Sequence, residues 1–186
     1  MRPEQTSVDF RDQVSLGRSE LTRHARSHSE RPIMTLDPKV TQFIADSPQG
    51  VLTTYRRSGK AQMSIVTVRP HERGIAVSIT EDRIKFKNLL RNPDCSILIS
   101  AEDWWSGFIV IDGTAELTWS GNTKPEALRL ARRDVYSATT RRRVDDWDAY
   151  DKRVEADKRV VLLISPAHMY GTFFNENWTP GMHTRQ

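Results

Sequence analysis

The sequence is poor in cysteine: among its 186 residues only Cys95 carries a thiol. An internal disulfide, a cysteine zinc cluster and a Cys-x-x-Cys redox pair are therefore excluded. No run of apolar residues approaches the roughly 18 that a membrane-spanning helix requires, so we expect no contact with a membrane. The first residues also lack the apolar segment of a secretory signal. These absences favour a protein of the reducing cytoplasm.

Neither sign of charge dominates the chain. It has 28 Lys and Arg against 24 Asp and Glu, a net charge of +4, and this modest excess favours an anionic ligand without naming one. Because acids are mixed among the bases and no nucleic-acid-binding motif occurs, we expect no nucleic acid partner. Of the five histidines only His24 and His28 lie close together, in the first 33 residues, and there is no cysteine cluster to join them, so we expect no metal site either.

The first 33 residues contain only eight hydrophobic side chains, too few to bury a face. We expect residues 1–33 to be a disordered or non-native extension, and Met34 is a candidate for the native start. Just beyond it, Asp37 can cap a helix whose first position is Pro38. Three apolar residues of that helix are expected to face inward: Val40, Phe43 and Ile44.

From Gly50 onward the pattern becomes that of strands, and two segments rich in β-branched residues flank a turn at Ser58-Gly59. Strands are expected at Gly50–Arg56, Ala61–Val68, Gly74–Thr80, Ser96–Ser100, Phe108–Thr118 and Arg159–Ser165. Helices are expected at Arg83–Arg91 and Glu126–Tyr136, with a further candidate before Lys152. Strands that follow one another with helices inserted, not alternating, predict a mostly β fold, a small closed barrel over residues 34–171. Residues 172–186 are expected to form an irregular C-terminal arm.

Three cations, Arg83, Lys85 and Lys87, lie in the first turns of the helix that follows the third strand. Positive side chains at this end act against the helix dipole, so their clustering is explained if an anion such as phosphate binds there. The alternative is that they are solvated charges offset by Glu81 and Asp82.

Three segments in order resemble the split β-barrel (FMN-binding-like) flavoproteins related to pyridoxamine-phosphate oxidase: Gly50-Val-Leu-Thr-Thr, Gly59-Lys-Ala-Gln-Met-Ser-Ile-Val and Arg83-Ile-Lys-Phe-Lys-Asn-Leu-Leu-Arg-Asn-Pro. Further segments resemble the branch of that family that uses the deazaflavin coenzyme F420: Val110-Ile-Asp-Gly-Thr-Ala-Glu-Leu, Asp145-Asp-Trp-Asp-Ala-Tyr and Lys158-Arg-Val-Val-Leu-Leu-Ile-Ser-Pro-Ala-His-Met-Tyr-Gly. The resemblance covers about Leu36 to Gly171.

This resemblance implies a homodimer with a coenzyme in each of two grooves between the subunits. It implies that Arg83 and Lys85 hold the coenzyme phosphate, that Lys87 and Asn88 belong to the same motif, and that Ser78 and Thr80 precede it. The strand that would lie along the ring, largely through backbone groups, comprises Gln62, Met63, Ser64, Ile65 and Val66.

The function that follows from the resemblance is an F420-dependent oxidoreductase, which transfers a hydride from the reduced deazaflavin to a small electron-poor organic substrate. Since the coenzyme carries the chemistry, no catalytic side chain is predicted. Two alternatives stay open. One is an FMN-dependent enzyme like pyridoxamine-phosphate oxidase, and the other is a non-catalytic carrier of coenzyme or haem with the same fold.

Other residues allow two or three interpretations each. Arg132-Arg133 and Arg141–Arg143 either meet the anionic coenzyme tail or simply face water. Trp104-Trp105 either closes over the ring or packs in a core or dimer contact. His168, close to Tyr170, is a proton donor, a haem ligand or an ordinary surface histidine.

Overall fold

The computed structural model describes residues 35–102, 107–139 and 144–174. Within these residues six strands close into one antiparallel barrel, in the order β1-β2-β3-β6-β5-β4. The predicted fold class is confirmed, a mostly β barrel with inserted helices. The strands are β1 (Gln49–Tyr55), β2 (Ala61–His71), β3 (Gly74–Thr80), β4 (Asp94–Ser100), β5 (Phe108–Thr118) and β6 (Arg159–Tyr170).

The helices precede or interrupt this run of strands. They are α1 (Pro38–Asp46), α2 (Ile84–Arg91), α3 (Pro125–Thr139) and α4 (Trp147–Ala156), followed by a short 3₁₀ helix at Thr172–Phe174. Asp37 caps α1 as predicted, because its carboxylate accepts the N–H of Lys39 at 2.7 Å. In the part of the chain that the structure describes, no helix is both long and apolar enough to cross a bilayer.

The barrel interior is a continuous apolar core. Inward-facing side chains alternate along the strands, as Leu52 on β1 and Val68 on β2 illustrate, and both are fully buried. The amphipathic helices α1 and α2 add Ile44 and Phe86 to the same core. Helix α3 packs outside the barrel, on a second cluster of buried residues: Ala76, Val135, Val161 and Leu163.

The last strand differs from its predicted length. It was expected to end at Ser165 and instead continues to Tyr170, because pairing with β5 supports it beyond the β-branched run. The pairing is irregular beside Asp112 and Gly113, and this irregularity carries the strand past Pro166.

Several predicted features lie outside the described residues. They are the extension 1–33, the pair Trp104-Trp105, the basic run Arg141–Arg143 and the C-terminal arm beyond Phe174.

Candidate functional site

The barrel opens between β2 and β3. The two strands pair only from Val68↔Val77 to His71↔Gly74, so residues 61–67 of β2 have β1 as their sole strand partner among the described residues. On the other side Ser78–Thr80 of β3 pairs with β6 alone. We call this unpaired stretch between residues 61–67 and 78–80 the split.

Strand β2 presents main-chain groups to the split. The N–H of Val68 donates to Pro48 O at 2.7 Å, on the side of β1. Because main-chain groups of successive residues point to opposite sides of a strand, the N–H and C=O of Met63 and Ile65 point away from β1. Their side chains point out of the barrel, with 68% of Met63 and 82% of Ile65 exposed. Val66 instead packs its side chain into the core.

The far side of the split ends in a polar turn. Ser78 is exposed on β3, whereas the Thr80 hydroxyl donates to Asp82. This hydrogen bond is the main reason that the pKa of Asp82 is lowered, with the nearby Arg83 cation adding to it. The N–H of Arg83 donates to Thr80 O at 3.2 Å, so the start of α2 is tied to the end of β3.

Helix α2 begins with cations and without a side-chain cap. Arg83 occupies the N-cap position, its side chain makes no capping hydrogen bond, and the first turn contains no acidic residue. Its side chain is 65% exposed, and its Nε lies 3.6 Å from the Asp82 carboxylate. The uncapped N–H groups and the exposed cation together suit a bound anion.

Lys85 is partly buried beside this helix end, and Lys87 is exposed one turn along. Burial lowers the pKa of Lys85, and repulsion from Arg83 lowers it further, while Asp82 opposes the shift. An anion bound at this position would stabilise the charged form of Lys85 and so oppose both effects.

A buried polar network joins α2 to the split. Asn88 is 4% exposed and donates through Nδ2 to Thr54 Oγ1 at 3.1 Å. The Thr54 hydroxyl donates to Gln62 Oε1, also at 3.1 Å, and Gln62 Nε2 donates to Ser64 Oγ at 2.7 Å. Asn88, Gln62 and Ser64 were predicted from the sequence, and Thr54, which connects them, was not. The alternation of buried and exposed residues could have indicated Thr54, because it follows Gly50 and Leu52 on the inward face of β1.

Two of the arginines considered for the coenzyme tail form contacts within the protein. Arg132 is 8% exposed, and its Nε donates to Arg159 O at 2.8 Å. Arg133 forms an ion pair with Asp151 and lies over the Trp147 ring, with its guanidinium carbon 4.9 Å from the ring centroid. Neither arginine belongs to a water-facing run of charges; both pack α3 against its neighbours.

The described histidines and the cysteine do not form a metal centre. In the described ranges no group of three or more His, Cys, Asp or Glu side chains is placed to bind a metal ion. His71 Nδ1 accepts the N–H of Arg73, so Nε2 donates to the Asp134 carboxylate at 3.0 Å. His168 is exposed, with its ring 5.7 Å from that of Tyr170. Cys95 is buried.

The six strands follow one another around a closed antiparallel barrel, and β2 and β3 stay unpaired along the split, beside the uncapped, cationic start of α2. These features define the class of split-barrel proteins. The sequence agrees, since residues 36–173 match the model of the family described as pyridoxamine 5'-phosphate oxidase. The chain belongs to the pyridoxamine 5'-phosphate oxidase family, as the resemblance in its motifs predicted.

Solved structures share this fold at low sequence identity. The conserved hypothetical protein Rv2991 from Mycobacterium tuberculosis has a TM-score of 0.59 and 20% identity, over 77% of this chain and 88% of its own. HutZ, the haem storage protein from Vibrio cholerae, has a TM-score of 0.50 and 16% identity, over 74% and 94%. A haem-binding protein from Mycobacterium smegmatis has a TM-score of 0.52 and 19% identity, over 69% and 50%. Identities this low support the fold alone.

Proposed function

We propose that this protein is a cytoplasmic, homodimeric oxidoreductase that uses coenzyme F420 to reduce a small electron-poor organic substrate. The observation that carries the proposal is the position of the split, which is bordered both by the unpaired edge of β2 and by the cationic start of α2. An elongated ligand with a planar ring at one end and a phosphate at the other matches these two features.

The residues of the split fit the two parts of such a coenzyme. Arg83 and Lys85 would bind its phosphate, with uncapped N–H groups of α2 beside them and Lys87 and Asn88 in the same motif. The main chain of Met63 and Ile65 would hydrogen-bond the polar edge of the ring. When bound, the reduced deazaflavin supplies the hydride. The protein binds and orients the two reactants and excludes water.

The remaining predicted residues would support the same site. Ser78 and Thr80 form its wall on β3, and Thr80 does so while holding Asp82. Gln62 and Ser64 belong to the network beneath the ring, and Val66 anchors the strand in the core.

The proposal of a dimer rests on the outer face of the barrel. An apolar row crosses five neighbouring strands, and the pairing register aligns its members: Ile65, Val51, Leu98, Val110 and Tyr170. Ile65 is 82% exposed and Tyr170 is 48% exposed at the two ends of this row. A second copy would bury Ile65 and Tyr170, and it would also cover the split, because Ile65 belongs to both surfaces.

FMN is the alternative coenzyme, because the phosphate-binding cations would serve it equally. Fluorescence titration of the purified protein with F420 and with FMN separates the two. We expect tighter binding of F420. Equal or tighter binding of FMN would favour the enzyme like pyridoxamine-phosphate oxidase.

A carrier is the alternative from another functional class. Two proteins with this fold are described as a haem storage protein and a haem-binding protein, so haem is a further ligand to titrate. A carrier would bind its ligand tightly and reduce none of a panel of quinones, enones and nitroaromatics. Turnover of any of these acceptors with reduced F420 would support the oxidoreductase.

A further inference from the structure

A cavity of about 450 Å³ lies between α3, α4 and the turn that follows β3, and none of its lining residues belongs to the split. The buried side chains of Leu128 on α3 and Val154 on α4 form an apolar wall. Charged side chains and two hydroxyl groups supply the polar part of the lining. An apolar wall with a few polar groups is typical of a site for a small molecule.

Among the charged residues described in this lining, Arg132 alone is buried, with 8% of its surface exposed. Its Nε donates to Arg159 O at 2.8 Å, whereas its two terminal nitrogens have no hydrogen-bond or ion-pair partner among the described residues. Every fully buried side-chain nitrogen in that part of the chain has a partner, so the terminal nitrogens of Arg132 must reach solvent through the cavity. They can present paired N–H groups to a carboxylate.

The second arginine of the lining is already paired. Arg129 forms ion pairs with Glu126 on α3 and with Asp151 on α4. Neither of these carboxylates forms an ion pair with Arg132. The guanidinium of Arg132 therefore lacks the partner that a buried charge normally requires.

Glu81 and Glu155 supply the remaining carboxylates of the lining. Burial lowers the pKa of Arg132 and these two carboxylates oppose that shift, yet neither forms an ion pair with it. Glu81 accepts the Ser120 hydroxyl at 2.7 Å, whereas the Glu155 carboxylate is exposed and has no partner among the described residues. The cavity thus offers a cation and an anion that interact electrostatically and are too far apart to pair.

We propose that this cavity binds a small zwitterion of the amino-acid type. Its carboxylate would accept from the terminal nitrogens of Arg132, its ammonium group would donate to the Glu155 carboxylate, and an apolar side chain would lie against Leu128 and Val154. The charge of the lining favours this class, because a multiply charged anion would be repelled by the carboxylates and a simple cation would leave Arg132 unpaired. The proposal does not depend on the coenzyme, since the cavity lies outside the split.

Calorimetric titration of the full chain with leucine tests the proposal, beside two analogues that each lack one charge. Isocaproate has the leucine skeleton without the amino group, and isopentylamine has it without the carboxylate. Isopentylamine should bind at least about tenfold more weakly than leucine and isocaproate at least about threefold, because buried Arg132 contributes more than exposed Glu155. Valine, methionine and phenylalanine extend the test to other apolar side chains. Binding of none of the four amino acids, or tighter binding of isocaproate, would overturn the proposal.

Two variants test the assigned residues. Arg132→Met should raise the dissociation constant of leucine about ten- to a hundredfold. Glu155→Gln alters an exposed side chain and keeps the test available if Arg132→Met does not fold. It should raise the dissociation constant of leucine about two- to fivefold and should not weaken the binding of isocaproate.

The matched control is Glu72→Gln, in the exposed turn between β2 and β3, which should bind leucine as the wild type does. Equal losses in the Glu155 and Glu72 variants would contradict the assigned role of Glu155. Saturation with F420 or FMN should leave the leucine affinity unchanged. Competition between leucine and either coenzyme would place leucine in the split and overturn the separate site, while the proposed function would stand.

Discussion

Asn88 Nδ2 and Thr54 Oγ1 lie 3.1 Å apart although their residues are separated by 34 positions in the sequence. One residue belongs to the helix with the cationic start and the other to the strand that pairs with the edge of the split. Their hydrogen bond therefore fixes the distance between the proposed anion-binding end of the site and its proposed ring-binding edge. A coenzyme that spans both ends would depend on this distance.

Loss of Arg83 or Lys85 should weaken coenzyme binding without unfolding the protein. Both cations oppose the dipole of α2, so Arg83→Ala or Lys85→Ala should leave the ligand-free protein as stable or slightly more stable. Loss of a charge-assisted hydrogen bond to phosphate should raise the dissociation constant about ten- to a hundredfold. Titration checks this, with exposed Lys152→Ala on α4 as the matched control. Normal binding combined with a lower melting temperature would identify the two cations as structural.

A charge in the outer apolar row should separate the subunits. Ile65 is 82% exposed, so Ile65→Glu should cost the single chain little stability while placing a carboxylate in the contact between copies. Light scattering should give about twice the 21.4 kDa chain mass for the wild type and the single mass for the variant. Leu130→Glu is the control, because Leu130 is 53% exposed on α3 and lies outside the row. A wild-type monomer that binds coenzyme would contradict the shared groove.

Two glycines with positive φ should differ sharply in their tolerance of alanine. A Cβ at Gly74, where φ is +123°, would lie 2.3 Å from Ile164 O, whereas a Cβ at Gly59, where φ is +78°, would meet nothing within 4 Å. Gly74→Ala should therefore lower the free energy of unfolding by about 3 kcal/mol or more, because main-chain atoms of β6 must move. Gly59→Ala should cost about 1 kcal/mol. Urea denaturation measures both, and equal costs would refute the close approach.

Cys95 should be unreactive in the folded protein. Burial, with help from Asp94 and Asp112, raises its pKa from about 9 to about 12. Little thiolate is present at pH 8, so alkylation should be slow until urea unfolds the chain. Rapid labelling of the native protein would show that the thiol is accessible.

The same pKa shift predicts a loss of stability at high pH. Between about pH 9 and pH 12 the unfolded chain has released the Cys95 proton that the folded chain retains. Unfolding is then favoured as the pH rises, by at most about 1.4 kcal/mol per pH unit. Cys95→Ala removes this contribution, so its stability should fall less steeply over the same range. Parallel slopes for the two proteins would contradict the raised pKa.

The N-terminal extension should be dispensable for folding. Residues 1–33 contain only eight hydrophobic side chains, too few to contribute a packed face. A chain that begins at Met34 should therefore keep both its melting temperature and its coenzyme affinity. A loss of several degrees, measured by thermal unfolding, would show that the extension packs on the barrel.

Local sequence was sufficient for most elements of the fold. The hairpin around Ser58-Gly59, the Asp37 cap and the start of α2 each depend on residues close together in the chain, and these predictions agree with the structure. The anion-binding hypothesis also depended only on residues close together in the chain, because Arg83, Lys85 and Lys87 lie in one helical turn or directly before it. A dipole argument needs only that local arrangement.

The tertiary structure decided what depends on distant partners. The continuation of β6 to Tyr170 requires β5, and the engagement of Arg133 requires Asp151 on α4. In the sequence, Thr54 is indistinguishable from other strand threonines. Only in the folded protein do Asn88 and Gln62 lie on either side of its hydroxyl. Periodicity can show that a side chain faces inward, but the group that it meets there is set by non-local packing, which local pattern does not encode.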